Sequence, residues 1–109
     1  MEPDSTVYSV IVSPGANDRA YDHFEFLARV SVGAAERLLS TLKKDITSLS
    51  VRPKENPPYE RAYLPPGKYR YKLSADRYRL VFTIEGNKVF VDDIQDCRQD
   101  DDKSILHEE

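Results

Sequence analysis

Basic side chains alternate with apolar ones in the second half of the chain, in a pattern that suits phosphate binding. Over residues 69–73 the tyrosines and the leucine can point inward while Arg70 and Lys72 point outward, since successive side chains of a strand face opposite ways. The following run, residues 78–84, alternates in the same way and places Arg79 on the more polar side. If the two runs pair as a hairpin, Arg70, Lys72 and Arg79 lie together on one side of a sheet.

The formal net charge of -3 conceals an uneven distribution of charge along the chain. Residues 51–79 contain eight basic residues and three acids, a net charge of +5. Residues 85–109 contain three basic residues and nine acids, a net charge of -6. The positive segment indicates a nucleic acid or an acidic peptide as partner, although exposed Lys and Arg on hairpins also serve solubility and edge protection. Both interpretations stay open at this point.

Length and composition indicate one small domain. The chain has 109 residues, of which 39% are apolar and 10% aromatic, so we expect a single domain over residues 1–109 with a polar tail from about residue 99. No run approaches the roughly 20 apolar residues that span a bilayer, and the start MEPDST lacks the basic and apolar regions of a secretory signal. We therefore expect a cytoplasmic protein without membrane contact.

With one cysteine and two histidines, the sequence predicts no intramolecular disulfide, no metal site and no cofactor.

Hydrophobic patterns predict the elements that position the basic residues. Residues 7–12, VYSVIV, are expected to form a first strand that is buried on both faces. Ser13 and Pro14 then fit the start of a helix that ends at about Arg29, and after a break at residues 30–33 a second, antiparallel helix follows. The two apolar stripes should cover one face of the sheet; they comprise Ala16, Ala20, Phe24 and Leu27, and then Ala35, Leu38, Leu39, Leu42, Ile46 and Leu49.

The rest of the chain is expected to form a connection and a three-stranded meander. Residues 52–67 contain five of the seven prolines and should form an extended connection. Turns at residues 74–77 and 85–87 divide the remainder into three antiparallel strands, which gives an α+β fold with both helices on one face of the sheet. The polar tail could be coil or a last short helix. Three tyrosines of the connection either anchor a partner or close the core, and the sequence alone leaves both open; they are Tyr59, Tyr63 and Tyr69.

This order of elements, together with the local sequence, resembles the RelE/ParE superfamily of type II toxins, which includes the toxins of plasmid stabilisation systems. The matching pieces are YSVIVSPGA, AAERLLSTLKKDITSLSVRP, KYRYKLSADRYRLVF and NKVFVDDIQDCRQD, so the resemblance covers about residues 8–100. It implies a toxin that is held inactive by a cognate antitoxin protein, whose extended or helical segment wraps the domain.

The RelE branch of this superfamily cleaves messenger RNA on the ribosome, where a 2′-hydroxyl attacks the adjacent phosphate. Arginine suits this reaction because its planar fork donates paired hydrogen bonds to phosphate oxygens as negative charge builds up. The resemblance implies catalytic cations at Arg70 or Lys72, at Arg79 and at Arg98. The group that transfers the proton stays open between Glu60 and Lys72.

The resemblance leaves three functions to choose between. We expect an endoribonuclease that acts on messenger RNA at the ribosome, provided that the four cations converge on one hollow opposite the helices. The ParE branch instead inhibits DNA gyrase by protein contact and needs no catalytic residues. The acidic balance of this chain favours this branch and a decayed toxin over a ribonuclease, because phosphate neutralisation dominates affinity for nucleic acid. A toxin whose activity has decayed would act only as an antitoxin-binding partner, with Arg79 and Arg98 bonded to acids among Asp92, Asp93 and Asp96.

Overall fold

The computed structural model describes residues 6–98, which form two helices packed on one face of a four-stranded mixed sheet. In chain order the elements are β1 (Ser9–Val12), α1 (Pro14–Ala28), α2 (Val32–Ser48), a 3₁₀ turn (Pro53–Glu55), β2 (Arg70–Ser74), β3 (Tyr78–Glu85) and β4 (Lys88–Asp96). The strand order is β1-β4-β3-β2, with β1 parallel to β4 and the other neighbours antiparallel. The predicted α+β class and the predicted order of elements are confirmed. The tail expected from about residue 99 lies outside the described residues.

Serine side chains determine where both helices begin. Ser13 Oγ and Ser31 Oγ each accept a hydrogen bond from the amide three residues further on, at 3.0 and 3.1 Å. Each serine thereby satisfies one of the free amides of the first helical turn. Pro14 follows Ser13 at a position where a missing N–H has no cost. The break between the helices is shorter than the predicted 30–33, because Ser31 caps α2 and the helix begins at Val32.

The helical layer covers the main core of the protein. Both predicted apolar stripes contribute to it, and Leu42 and Leu49 are fully buried. The sheet contributes alternate residues of β3 and β4 to the same core; these are Tyr78, Leu80, Phe82, Val89, Val91 and Ile94. In the part of the chain that the structure describes, neither helix has the length and apolar content that a bilayer crossing requires.

The first strand differs from its prediction. It was expected over residues 7–12 with both faces buried, but it comprises Ser9–Val12 and lies at the edge of the sheet. Val10 and Val12 pack against the main core, whereas Ile11 points away from it and is 40% exposed. A short apolar run predicts a strand, but it does not predict burial on both faces.

The proline-rich connection builds a second, smaller apolar cluster on the other face of the sheet. Its buried members are Tyr59, Leu64, Tyr69 and Val81. Val81 lies between two β3 residues of the main core and therefore faces away from the helices. Two of the three tyrosines left open by the sequence thus close this cluster, while Tyr63 is 38% exposed.

The same connection covers the outer edge of β2. The amide of Tyr59 donates to the carbonyl of Tyr69 at 2.8 Å, and the amide of Tyr71 donates to the carbonyl of Pro57 at 3.0 Å. Pro57 and Pro58 offer no N–H of their own, so this segment cannot extend the ladder to another chain on that side. The connection is therefore extended, as predicted, and it also protects a strand edge.

Both predicted turns of the meander are present. Gly86 has φ of +60° and opens the two-residue loop between β3 and β4, as the first central residue of a type II′ turn does.

We expect Gly86→Ala to lower the free energy of unfolding by about 1–2 kcal/mol, because a side chain in the left-handed region meets the carbonyl that follows it. Gly33→Ala in the first turn of α2 is the matched control. A Cβ there would meet only the guanidinium of Arg37 at 3.5 Å, an ordinary contact, so this change should leave stability unchanged or slightly raised. Urea unfolding measures the free energy of unfolding of both variants. Equal effects of the two substitutions would contradict the requirement for glycine at position 86.

Candidate functional site

The pairing of β2 with β3 separates the predicted cations. Residues directly opposite each other on neighbouring strands share a face of the sheet. Lys72 is opposite Leu80 of the main core, and Arg70, two residues away on the same strand, shares that face. Arg79 is opposite Leu73 and lies on the other face. The prediction that Arg70, Lys72 and Arg79 lie together is therefore wrong.

The error came from the assignment of the inward face of β2. Tyr71 and Leu73 were expected to point toward the helices, but they lie on the face that carries the second cluster. Tyr71 packs at the margin of that cluster, while Leu73 is 56% exposed. At the edge of a sheet, the more apolar side of a strand need not be the side that the helices cover.

Arg70 and Lys72 share the helical face of β2, and Lys72 lies beside the end of α2. Arg70 Nη1 donates to the carbonyl oxygen of Asn56 at 2.7 Å and so ties the connection to β2. Lys72 lines a cavity of about 400 Å³ together with Arg52 and Glu55, which form an ion pair at 3.4 Å. Arg70 therefore has a contact that holds the fold, and Lys72 has neighbours that the predicted phosphate site did not include.

Arg98 lies just past the end of β4 and is paired with a carboxylate. Its Nη2 and Nε donate to the two carboxylate oxygens of Asp96 at 3.1 and 3.3 Å. Burial favours the neutral form of Asp96, but the hydrogen bonds from Arg98 outweigh burial and hold the pKa of Asp96 below its usual value. Both side chains line a cavity of about 520 Å³, whose walls include His23 and Tyr78. A pairing of Arg98 with a nearby acid was expected for a toxin whose activity has decayed.

Glu60, the predicted base, is exposed at the start of the loop that follows Tyr59. Its backbone carbonyl accepts a hydrogen bond from Arg61 Nη1 at 2.8 Å. Within residues 6–98, no hydrogen bond or ion pair joins its carboxylate to any of the predicted cations. The structure thus keeps only Arg70 and Lys72 on a common face and separates them from Arg79, Arg98 and Glu60, and the catalytic roles of all five stay predictions.

Arg79 is held in one orientation on the face away from the helices. Its Nε and Nη2 donate to Gln95 Oε1 at 3.1 and 3.0 Å, and the Tyr59 hydroxyl donates to the same oxygen at 3.1 Å. Two guanidinium groups lie over the Tyr59 ring, whose centroid is 5.2 Å from the Cζ of Arg79 and 4.4 Å from the Cζ of Arg61. Burial raises the pKa of Tyr59, so its hydroxyl is protonated at neutral pH and can donate.

Gln95 connects this arrangement to a buried carboxylate. Its Nε2 donates to Asp93 Oδ2 at 2.9 Å, and Asp93 is completely buried. Arg19 Nη1, from α1, lies 3.6 Å from Asp93 Oδ1 and balances the charge of the carboxylate. Arg79 is bonded to a neutral amide instead, and none of the described carboxylates forms an ion pair with it.

A bulge in β4 places these residues on the same face. Val81 of β3 is opposite Asp93 while Phe82 is opposite Val91, so Asp92 is an extra residue between them. Without it, regular alternation from Val91 would turn Asp93 and Gln95 toward the helices. The sequence analysis did not single out Gln95; the two adjacent aspartates, which interrupt the apolar alternation of β4, are the signal that could have indicated the bulge.

We expect Gln95→Leu to lower the free energy of unfolding by about 2–3 kcal/mol, because it leaves the Tyr59 hydroxyl and the buried Asp93 carboxylate each without one partner. Tyr59→Phe removes one of these hydrogen bonds and should cost only about 1 kcal/mol. Urea unfolding of both variants tests whether Gln95→Leu lowers the free energy of unfolding more than Tyr59→Phe does. An effect of Gln95→Leu no larger than that of Tyr59→Phe would contradict the role assigned to Gln95.

We expect Arg98→Ala to lower the melting temperature at about pH 7 and to have a smaller effect at about pH 3. The folded-state pKa of Asp96 is below its unfolded value, so the pair stabilises the fold above the ordinary carboxyl pKa, and this contribution is lost as the pH falls through the folded value. Lys44→Ala, at an exposed cation of α2, is the control and should show no such pH dependence. A difference between Arg98→Ala and wild type that is independent of pH would contradict the pairing.

Both the sequence and the fold of this chain are similar to those of known toxins. A family model described as the ParE toxin of the type II toxin-antitoxin system parDE matches residues 10–101. A solved structure described as a chromosomal ParDE TA system from P. aeruginosa superposes with a TM-score of 0.69 at 11% sequence identity. The superposition covers 84% of this chain and 98% of that one, and at this identity it shows a common fold. No curated protein matches the sequence. The chain belongs to the ParE toxin family of type II toxin-antitoxin systems.

Proposed function

We propose that this toxin inhibits DNA gyrase by protein contact and does not cleave messenger RNA. The observation that carries the proposal is the separation of the four predicted cations. Arg70 and Lys72 face the helical side, Arg98 is paired with Asp96, and Arg79 is the one of the four that lies on the other face. A reaction at phosphorus needs several charged groups around one phosphoryl centre, because its catalysis rests on positioning and charge stabilisation.

Two further features support protein contact. The chain has a net charge of -3, and a protein with few net cations is poorly suited to dock on an RNA-rich particle, because phosphate neutralisation supplies much of that affinity. The family match is to the ParE toxins, the branch for which the sequence analysis expected gyrase inhibition without catalytic residues. A gyrase inhibitor acts in the cytoplasm, which is the location expected from the sequence.

Membership of the family also implies a partner. A ParE toxin belongs to a toxin-antitoxin pair, so a cognate antitoxin protein is expected to bind and silence this chain. The antitoxin allows the purified complex to be used as a control, because toxin that is bound to it should leave gyrase active.

We expect the purified toxin to block supercoiling of relaxed plasmid by gyrase, and expression of the toxin to produce no new messenger RNA 5′ ends. Lys72→Gln and Glu60→Gln should retain full growth arrest, because neither side chain forms part of a shared catalytic site in this fold. Lys44→Gln is the matched control for the loss of one surface charge.

The opposite outcome is equally clear. New 5′ ends with normal supercoiling, together with loss of growth arrest in Lys72→Gln or Glu60→Gln, would overturn gyrase inhibition and restore the ribonuclease hypothesis. A protein that neither cleaves messenger RNA nor inhibits gyrase, but binds its antitoxin tightly, would be a decayed toxin.

A further inference from the structure

The guanidinium fork of Arg79 is held in place by Gln95, and no carboxylate within residues 6–98 forms an ion pair with it. Its Nε and Nη2 donate to Gln95 Oε1 from one side of the group, whereas Nη1 makes no hydrogen bond with the described residues. A guanidinium has five N–H donors, so the end formed by Nη1 and the second N–H of Nη2 is left for a bidentate acceptor. Tyr59 stacks on the group at 5.2 Å, which reduces the entropy that binding would otherwise cost.

The surroundings of Arg79 combine charge with exposed apolar surface. Leu73 lies directly opposite it on β2 and is 56% exposed, and Tyr71 lies half-buried on the same face. The Cζ of Arg61 lies over the same Tyr59 ring, 4.4 Å from its centroid. We call Arg61, Tyr71, Leu73 and Arg79 the open-face patch. Aromatic residues and arginine beside an apolar residue are the composition typical of protein interface centres.

The partner that fits this patch is a polypeptide with a carboxylate next to an apolar side chain. A carboxylate accepts two parallel hydrogen bonds from the Arg79 fork, and an apolar neighbour removes Leu73 from water. A phosphate backbone would use the arginine but would leave Leu73 exposed, and it would gain little from a patch with two cations in a chain of net charge -3.

We propose that the open-face patch is the surface by which the toxin contacts gyrase, and that it receives an Asp or Glu of the enzyme that is flanked by an apolar residue. The inference rests on the proposed function and goes beyond it by naming the toxin residues and the chemistry of the partner. Arg79 makes the ion pair, and Leu73 provides the apolar contact. Gln95 and Tyr59 act as positioning residues, because they orient the Arg79 fork.

The test measures the toxin concentration that half-inhibits supercoiling by purified gyrase, for the full-length wild type and for three variants. Arg79→Gln removes the positive charge. Leu73→Glu introduces a negative charge, which repels the partner's carboxylate, at an exposed position outside the core. Each should raise the half-inhibitory concentration at least about tenfold, as loss of an interface centre does. Lys44→Gln, which removes one charge from the helical layer, should behave as wild type. Thermal unfolding checks that each variant is folded.

Binding of a second probe, a single-stranded RNA of 20 nucleotides, distinguishes a patch that binds a polypeptide carboxylate from one that binds nucleic-acid phosphate. If the Arg79→Gln and Leu73→Glu variants inhibit gyrase as strongly as wild type does, the open-face patch is not the contact surface, although gyrase inhibition itself still holds. RNA binding that is lost in Arg79→Gln, without any change in inhibition, would identify a nucleic-acid site and overturn the polypeptide partner. Wild type that does not inhibit gyrase would overturn the proposed function and this inference together.

Discussion

The side-chain oxygen of Gln95 accepts three hydrogen bonds, and much of the face away from the helices depends on it. Two come from Arg79 and one from Tyr59, while the amide nitrogen of the same side chain donates to the buried Asp93. The Tyr59 ring is in turn a buried member of the second cluster, so the position of the proline-rich connection is tied to the same group. A neutral amide fixes the arginine here without cancelling its charge. A carboxylate in its place would have formed an ion pair with the guanidinium and left less of its charge for a partner.

The bulge at Asp92 is the backbone feature that makes this arrangement possible. It shifts the alternation of β4 by one residue, so that Ile94 and Asp96 face the helices while Asp93 and Gln95 face the second cluster. One strand thereby supplies apolar residues to the main core and polar residues to the opposite side. The same shift places Asp96 where it pairs with Arg98, on the side of α1. The separation of Arg98 from Arg79 is thus a consequence of strand geometry.

Local patterns were sufficient to predict the elements of the fold but not the faces of its edge strands. The Ser13-Pro14 start, the stripes of both helices and the two turns depend on contacts within a few residues, and all were predicted. The face of β2 depends on the path of a 16-residue connection that buries Tyr59 and Tyr69 on the far side of the sheet. The partner of Arg79 depends on a bulge that the prediction did not include. Both require long-range pairing, and for that reason the phosphate surface inferred from residues 70, 72 and 79 is not present.

In this small toxin the helical layer covers the main core, while the other face of the sheet presents the preorganised Arg79 beside the exposed Leu73. A guanidinium that is fixed by a neutral amide and has no ion pair with the carboxylates of residues 6–98 is suited to a carboxylate on a folded partner, and the family to which the chain belongs provides the context for a protein target.

Site-specific photo-crosslinking of the full-length toxin to purified gyrase tests whether the open-face patch touches the enzyme. A benzophenone amino acid at position 73 samples the open-face patch, and the same group at position 44 samples the helical layer. We expect a covalent adduct with a gyrase subunit from position 73 and none from position 44. An adduct from position 44 with none from position 73 would contradict this expectation.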